Sequence, residues 1–128
     1  ESGYSVVQLG RKDERIDVGT CFVDMTSVRE AACILHACRL FIGCDSGLMH
    51  LALAVGTKAL ALFGPTDPSI LLGNETNVTV LTNERECQGC WNDIRQETRE
   101  GECPLQIPEC LDPILPECVL AHARRLLA

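Results

Sequence analysis

Aromatic side chains are scarce in this sequence: one Trp, one Tyr and three Phe amount to 4% of 128 residues. That scarcity removes the stacking platforms on which single-stranded nucleic acids are held. Positive charge is also short, with 11 Lys and Arg against 18 Asp and Glu and a net charge of −7. Such a balance disfavours nucleic acid and acidic lipid as partners, so any phosphate must be met in a local pocket. No apolar run approaches the roughly 18 residues of a membrane helix, and no transmembrane segment is expected. Neither G-x-G-x-x-G nor G-x-x-x-x-G-K-[ST] occurs, which disfavours a generic dinucleotide or P-loop domain.

The basic and apolar regions of a signal peptide are missing at the N-terminus, and the sequence starts inside what reads as a strand. An excised piece of a longer protein is therefore expected, and a cytoplasmic location with it. What is present is ordinary for a globular domain: 46% hydrophobic and 23% charged residues, enough for a single core. Nine cysteines are many for this length. Cys21, Cys33, Cys38 and Cys44 stand in apolar segments and read as core filling. An odd total without a signal peptide favours a reducing compartment over a disulfide framework. The N-x-T sequons at Asn74 and Asn77 are a contrary hint, for which chance is the commoner explanation.

Tyr4 to Leu9 reads as a buried strand stopped by Gly10 and the charged run RKDER. Asp13 and Glu14 in that run have two readings, acceptors for ribose hydroxyls or a solvated charged loop, and the second is the more common. Cys21 to Asp24 reads as a short second strand. Ser27 with Glu30 three residues on is a capping box, and Val28, Ala31, Ala32, Leu35 and Cys38 recur at helical spacing. The spacing predicts a helix to about Ala37, a strand from Leu40 to Gly43, and a helix from Gly47 to Val55 stopped by Gly56. Lys58 to Phe63 reads as a buried strand, Asp67 and Pro68 as the start of a short helix, and Asn77 to Leu81 as a last strand. Alternating strands and helices predict an α/β fold with a Rossmann-like parallel sheet covered by helices on both faces. From Thr82 the pattern gives way to a polar, Cys-rich irregular stretch, assigned here as an insertion over 82–118, before Pro116 opens a final helix.

The stretch LFIGCDSGLMH carries the chemistry. A strand that ends in an acid, a hydroxyl and a glycine and turns at once into a helix offers free N–H groups at a dipole's positive end, where an anion is favoured. Asp45 can fix the turn or accept a hydroxyl, Ser46 can cap or donate to an oxyanion, and Gly47 admits close approach to the backbone. His50 lies one helical turn beyond Ser46 and can reach the same ligand; a core histidine is the equally weighted alternative. The next strand runs into GPTDP, where Gly64 and Thr66 are expected to form a second ligand wall.

The string FIGCDSGLMHLALAVGTKALALFGPTDP resembles the signature region of family 9 glycosyltransferases, the heptosyltransferases that use ADP-heptose to build lipopolysaccharide. The resemblance implies that residues 1–128 are an incomplete C-terminal donor-binding domain, the C-terminal half of a GT-B fold. It implies that Asp45, Ser46, Gly47 and His50 surround the diphosphate and sugar, with Leu48 and Met49 in the same turn and Met25 or Thr26 near the base. It also implies inverting transfer from a nucleoside-diphosphate sugar without an obligatory divalent ion. The acceptor site and catalytic base are expected in an N-terminal domain outside this sequence, so this chain alone is expected to hold a donor and not to turn it over.

Cys87, Cys90, Cys103 and Cys110 follow the pattern C-x2-C-x12-C-x6-C, with Cys118 just beyond. A CxxC knuckle and two further thiols suit structural zinc, or a single iron, and a metal would organise the irregular stretch. Disulfides are the alternative. A different class of function follows from the same thiols, a noncatalytic metal module in which Thr82 to Cys118 contacts a partner or another copy of the chain, giving a homo-oligomer in the second case.

Overall fold

The computed structural model describes residues 3–16, 18–83, 85–92, 103 and 109–128. Among the described residues there are five strands and four α-helices, alternating from β2 onward. They are β1 (Val7–Gln8), β2 (Thr20–Cys21), α1 (Val28–Ala37), β3 (Phe41–Cys44), α2 (Gly47–Ala54), β4 (Ala59–Leu62), α3 (Pro68–Leu71), β5 (Val78–Leu81) and α4 (Pro116–Leu127). All strand pairs are parallel, but they form two sheets, β1-β2 and β3-β4-β5, where the sequence predicts one. The edges of β1 and β3 face each other across an apolar groove of about 240 Å³ lined by Val7, Leu9, Leu35, Leu40, Phe41 and Ile42 among others. Lacking a ladder on that side, the expected strand Tyr4 to Leu9 shrinks to two residues, and Val6 and Val7 are exposed rather than buried.

Local chemistry sets the helix ends. Ser27 Oγ accepts from the Glu30 amide at 3.3 Å while the Glu30 carboxylate accepts from the Ser27 amide at 2.8 Å, completing the capping box. Those bonds to Ser27 hold the Glu30 carboxyl below its usual range. Asp67 caps α3 by accepting from the Ser69 amide at 2.8 Å, with Pro68 at its first position. Gly56 follows α2 in the left-handed region at φ 81°, which favours glycine. At the end of α1, Leu35 O accepts from the Cys38 amide at 2.9 Å and also from the buried Thr57 hydroxyl at 2.7 Å.

The core forms around β4, which pairs with β3 on one side and β5 on the other. Ala59, Ala61 and Phe63 point to one face, where Met49 and Leu53 of α2 and Leu72 close over them. Leu60 alternates to the other face and is also fully buried, and α4 packs on β4. The Arg39 guanidinium donates to Leu127 O at 2.5 Å, tying the end of α4 to the start of β3.

The expectation for the first group of cysteines needs correction. Cys33 and Cys44 are exposed and Cys21 and Cys38 only half-buried, so these thiols are not core filling. Cys44 falls on the outward phase of β3, together with Ile42. The Asn77 amide, one of the two sequons, donates to Thr57 O at 3.0 Å and Leu53 O at 3.4 Å, so its nitrogen is spent joining β5 to the turn after α2.

Candidate functional site

A cavity of about 680 Å³ opens at the carboxyl ends of β1, β2 and β3. Leu9, Gly10, Arg11 and Glu14 follow β1, Thr26 and Ser27 follow β2, and Ser46, Gly47, Leu48 and His50 follow β3. The N-termini of α1 and α2 therefore border one space. Open parallel sheets take ligands at this edge, where strand-to-helix turns converge.

The DSG turn is built as its residue types predict. Ser46 is extended at φ −161°, and its hydroxyl accepts from the Met49 amide at 3.4 Å. Gly47 starts α2 with open space where a Cβ would stand. His50 is exposed on the cavity wall, with Nε2 3.4 Å from Asp45 Oδ1, so the core-histidine reading does not describe it. Its neighbour Met49 takes the core position and is fully buried, leaving only its backbone in the turn. On the opposite wall, a short 3-10 turn over Lys12–Glu14 folds the Glu14 carboxylate back to accept from the Arg11 amide at 2.7 Å. Thr26 lines the cavity, whereas Met25 is 69% exposed and is not among its lining residues.

Gly64 and Thr66 stand apart from this cavity. The segment Cys87–Asn92 lies over the GPTDP loop instead. Gln88 Nε2 donates to Gly64 O at 2.7 Å and Thr66 O at 2.9 Å, the Trp91 amide donates to Pro65 O at 3.0 Å, and Asn92 Oδ1 accepts from the Asp67 amide at 2.7 Å. A Cβ on Gly64 would stand 3.1 Å from Cys110 Cβ, so the glycine admits the close approach of the cysteine segment. The Thr66 hydroxyl is buried with no hydrogen-bond partner among the described residues.

Three of the four spaced cysteines meet at one cavity. Cys90, Cys103 and Cys110 line a second cavity of about 310 Å³ with Pro65, Trp91 and Leu111. Burial raises the Cys90 thiol, and the neighbouring thiols of Cys110, Cys87 and Cys103 raise it further. Burial likewise raises Cys110, followed by Cys103 and Cys87. Among the described residues, no three His, Cys, Asp or Glu side chains converge as a formed metal site. The rest of the assigned insertion, residues 93–102 and 104–108, lies outside the described residues.

Raised thiol values set a pH dependence. Both groups bind protons more tightly when folded than when unfolded, so their stabilisation is complete below the unfolded thiol range and is lost as pH rises through the folded values. Metal-free chain should therefore show a lower urea midpoint at about pH 9.5 than at pH 7. Iodoacetamide should label the exposed Cys118 before Cys90; equal labelling rates would contradict the burial of Cys90.

Arg11 is the residue that sequence reasoning missed. Inside the run RKDER it read as solvated charge, and only the 3-10 turn places it on the cavity wall. Its position directly after a strand-ending glycine was the one available signal.

The parallel architecture and the cavity at its carboxyl edge define a Rossmann-like α/β domain. The sequence profile of glycosyltransferase family 9 (heptosyltransferase) matches residues 17–100, and the chain belongs to that family. It is 32% identical over 103 residues to lipooligosaccharide heptosyltransferase 2 of Haemophilus influenzae, covering 80% of this chain and 28% of that protein. The solved E. coli ADP-heptose lipopolysaccharide heptosyltransferase II superposes at a TM-score of 0.71 with 23% identity, over 98% of this chain and 37% of that one. TibC of enterotoxigenic E. coli, described as an iron-containing dodecameric glycosyltransferase, superposes at 0.74 with 21% identity, over 98% of this chain and 38% of that one. The chain thus spans about a third of these relatives. Among the described residues no helix is long and apolar enough to cross a membrane.

Proposed function

We propose that this chain is the C-terminal, donor-nucleotide-binding part of an inverting heptosyltransferase that uses ADP-heptose in lipopolysaccharide or related glycan assembly. The observation that carries the reading is the 680 Å³ cavity at three strand ends, bordered by the N-termini of α1 and α2, in a member of glycosyltransferase family 9. In the transfer, an acceptor hydroxyl oxygen bonds to the anomeric carbon as the bond from that carbon to the diphosphate oxygen breaks, its electron pair staying on the diphosphate. The hydroxyl proton passes to a base supplied from outside this chain. Negative charge grows on the leaving diphosphate, and the backbone N–H groups at Gly47 and Leu48, with the α2 dipole behind them, are oriented to stabilise it. A protonated His50 adds a charge-assisted contact, held in place by Asp45. Calorimetric titration with ADP tests the reading: saturable binding by the chain alone, with no turnover of ADP-heptose, is expected, and absence of any ADP binding would contradict it.

A second proposal concerns the cysteines. Burial and the neighbouring thiols raise the proton affinity of Cys90 and Cys110, and a soft cation held by thiolates relieves that repulsion. Cys87, Cys90, Cys103 and Cys110 are an all-sulfur set that suits zinc or iron, and the iron-containing description of TibC supports the choice of chemistry. The same segment is then a candidate surface for self-association, the noncatalytic role these thiols could serve. Elemental analysis of freshly purified chain should find about one metal per chain, removable by chelator with loss of thermal stability. Metal-free protein with an unchanged melting curve would contradict the proposal.

A further inference from the structure

We propose that Arg11 is a ligand-binding residue of the carboxyl-edge cavity and contacts the phosphates of the bound nucleotide. The proposal rests on the nucleotide reading given above and adds a residue to it.

Charge is the starting point. The chain carries a net −7, and a diphosphate adds more negative charge to whatever holds it. Of the residues lining the cavity, Arg11 alone bears a permanent positive charge. The two carboxylates nearby are engaged elsewhere, Glu14 with the Arg11 amide at 2.7 Å and Asp45 with His50 at 3.4 Å. The Arg11 guanidinium itself has no hydrogen-bond or ion-pair partner among the described residues. By contrast, Arg39 donates to Leu127 O and lies over Tyr4, and Arg85 pairs with Glu109.

Local structure explains how the side chain reaches the wall. Gly10, at φ 152°, turns the chain after β1, and a Cβ there would meet Glu14 Oε2 at 2.7 Å. The 3-10 turn that follows is closed by main-chain atoms of Arg11, since its carbonyl accepts from the Glu14 amide at 2.9 Å and its amide donates to the Glu14 carboxylate. The turn therefore keeps its shape whatever side chain stands at position 11. A planar guanidinium offers five donors and matches phosphate oxygens in pairs, which an ammonium does not.

The test is calorimetric titration of wild type, Arg11→Ala and Arg11→Lys with ADP, AMP and adenosine, with melting curves to confirm folding. Arg11→Ala should weaken ADP by roughly 10-fold or more, as expected for loss of a charge-assisted contact. It should weaken AMP less and leave adenosine unchanged, while Arg11→Lys recovers part of the ADP affinity. Equal weakening of all three ligands, or unchanged ADP affinity in Arg11→Ala, would overturn the role of Arg11 with the nucleotide site intact. Wild type that binds none of the three would overturn the nucleotide reading and this proposal together. Should Arg11→Ala fail to fold, Arg11→Gln supplies the same comparison.

Discussion

Phe63→Ala is expected to destabilise the chain by about 3–5 kcal/mol, the range for emptying a fully buried aromatic site. Phe63 is 0% exposed and lies at the end of β4, where Met49, Leu53, Ala59, Ala61 and Leu72 surround it. Two of those neighbours are alanines with no side chain to advance into the void, so the site relaxes poorly. The loss should appear as a lower urea midpoint with an unchanged slope. Ile70→Ala is the control: Ile70 is 61% exposed on α3, and its truncation should change stability little. Comparable midpoints for the two variants would mean that the β4 core is not where the packing energy lies.

Gly19→Ala should be nearly as damaging for a different reason. Gly19 sits at φ 64°, where a non-glycine residue costs roughly 1–2 kcal/mol in backbone strain alone. An added Cβ would also stand 2.2 Å from Val6 O, the carbonyl that accepts from the Thr20 amide at 2.9 Å and begins the β1-β2 pairing. Backbone must move to admit it, and β1 carries the loop of Gly10, Arg11 and Glu14 on the cavity wall. Reduced stability and weaker ADP binding should appear together. A variant with wild-type melting and wild-type affinity would show that this pairing does not support the site.

The parts legible in the sequence are those decided within one turn of chain. Ser27 with Glu30, Ser46 before Gly47, Gly56 after α2 and Asp67 before Pro68 each set an element boundary through bonds two to four residues long. The apolar content of KALALF marked β4 as the buried centre. Contacts between distant segments were not legible. GPTDP has the composition of a ligand loop, but Gln88, Trp91 and Asn92, more than 20 residues away, cover it. Tyr4 to Leu9 has the composition of a buried strand, but burial requires a neighbour on each side, and β1 has β2 alone. Arg11 was missed for the same reason, since the geometry of the following turn, rather than residue type, decides which way it faces.

Hydrogen exchange with and without ADP tests the central claim most directly, because it reports where the nucleotide sits as well as whether it binds. The account predicts slowed exchange at the amides from Ser46 to His50 and around Gly10 and Arg11, with β5 unchanged. Slowed exchange confined to the Cys87–Asn92 segment, or none at Ser46 to His50 at saturating ADP, would contradict it.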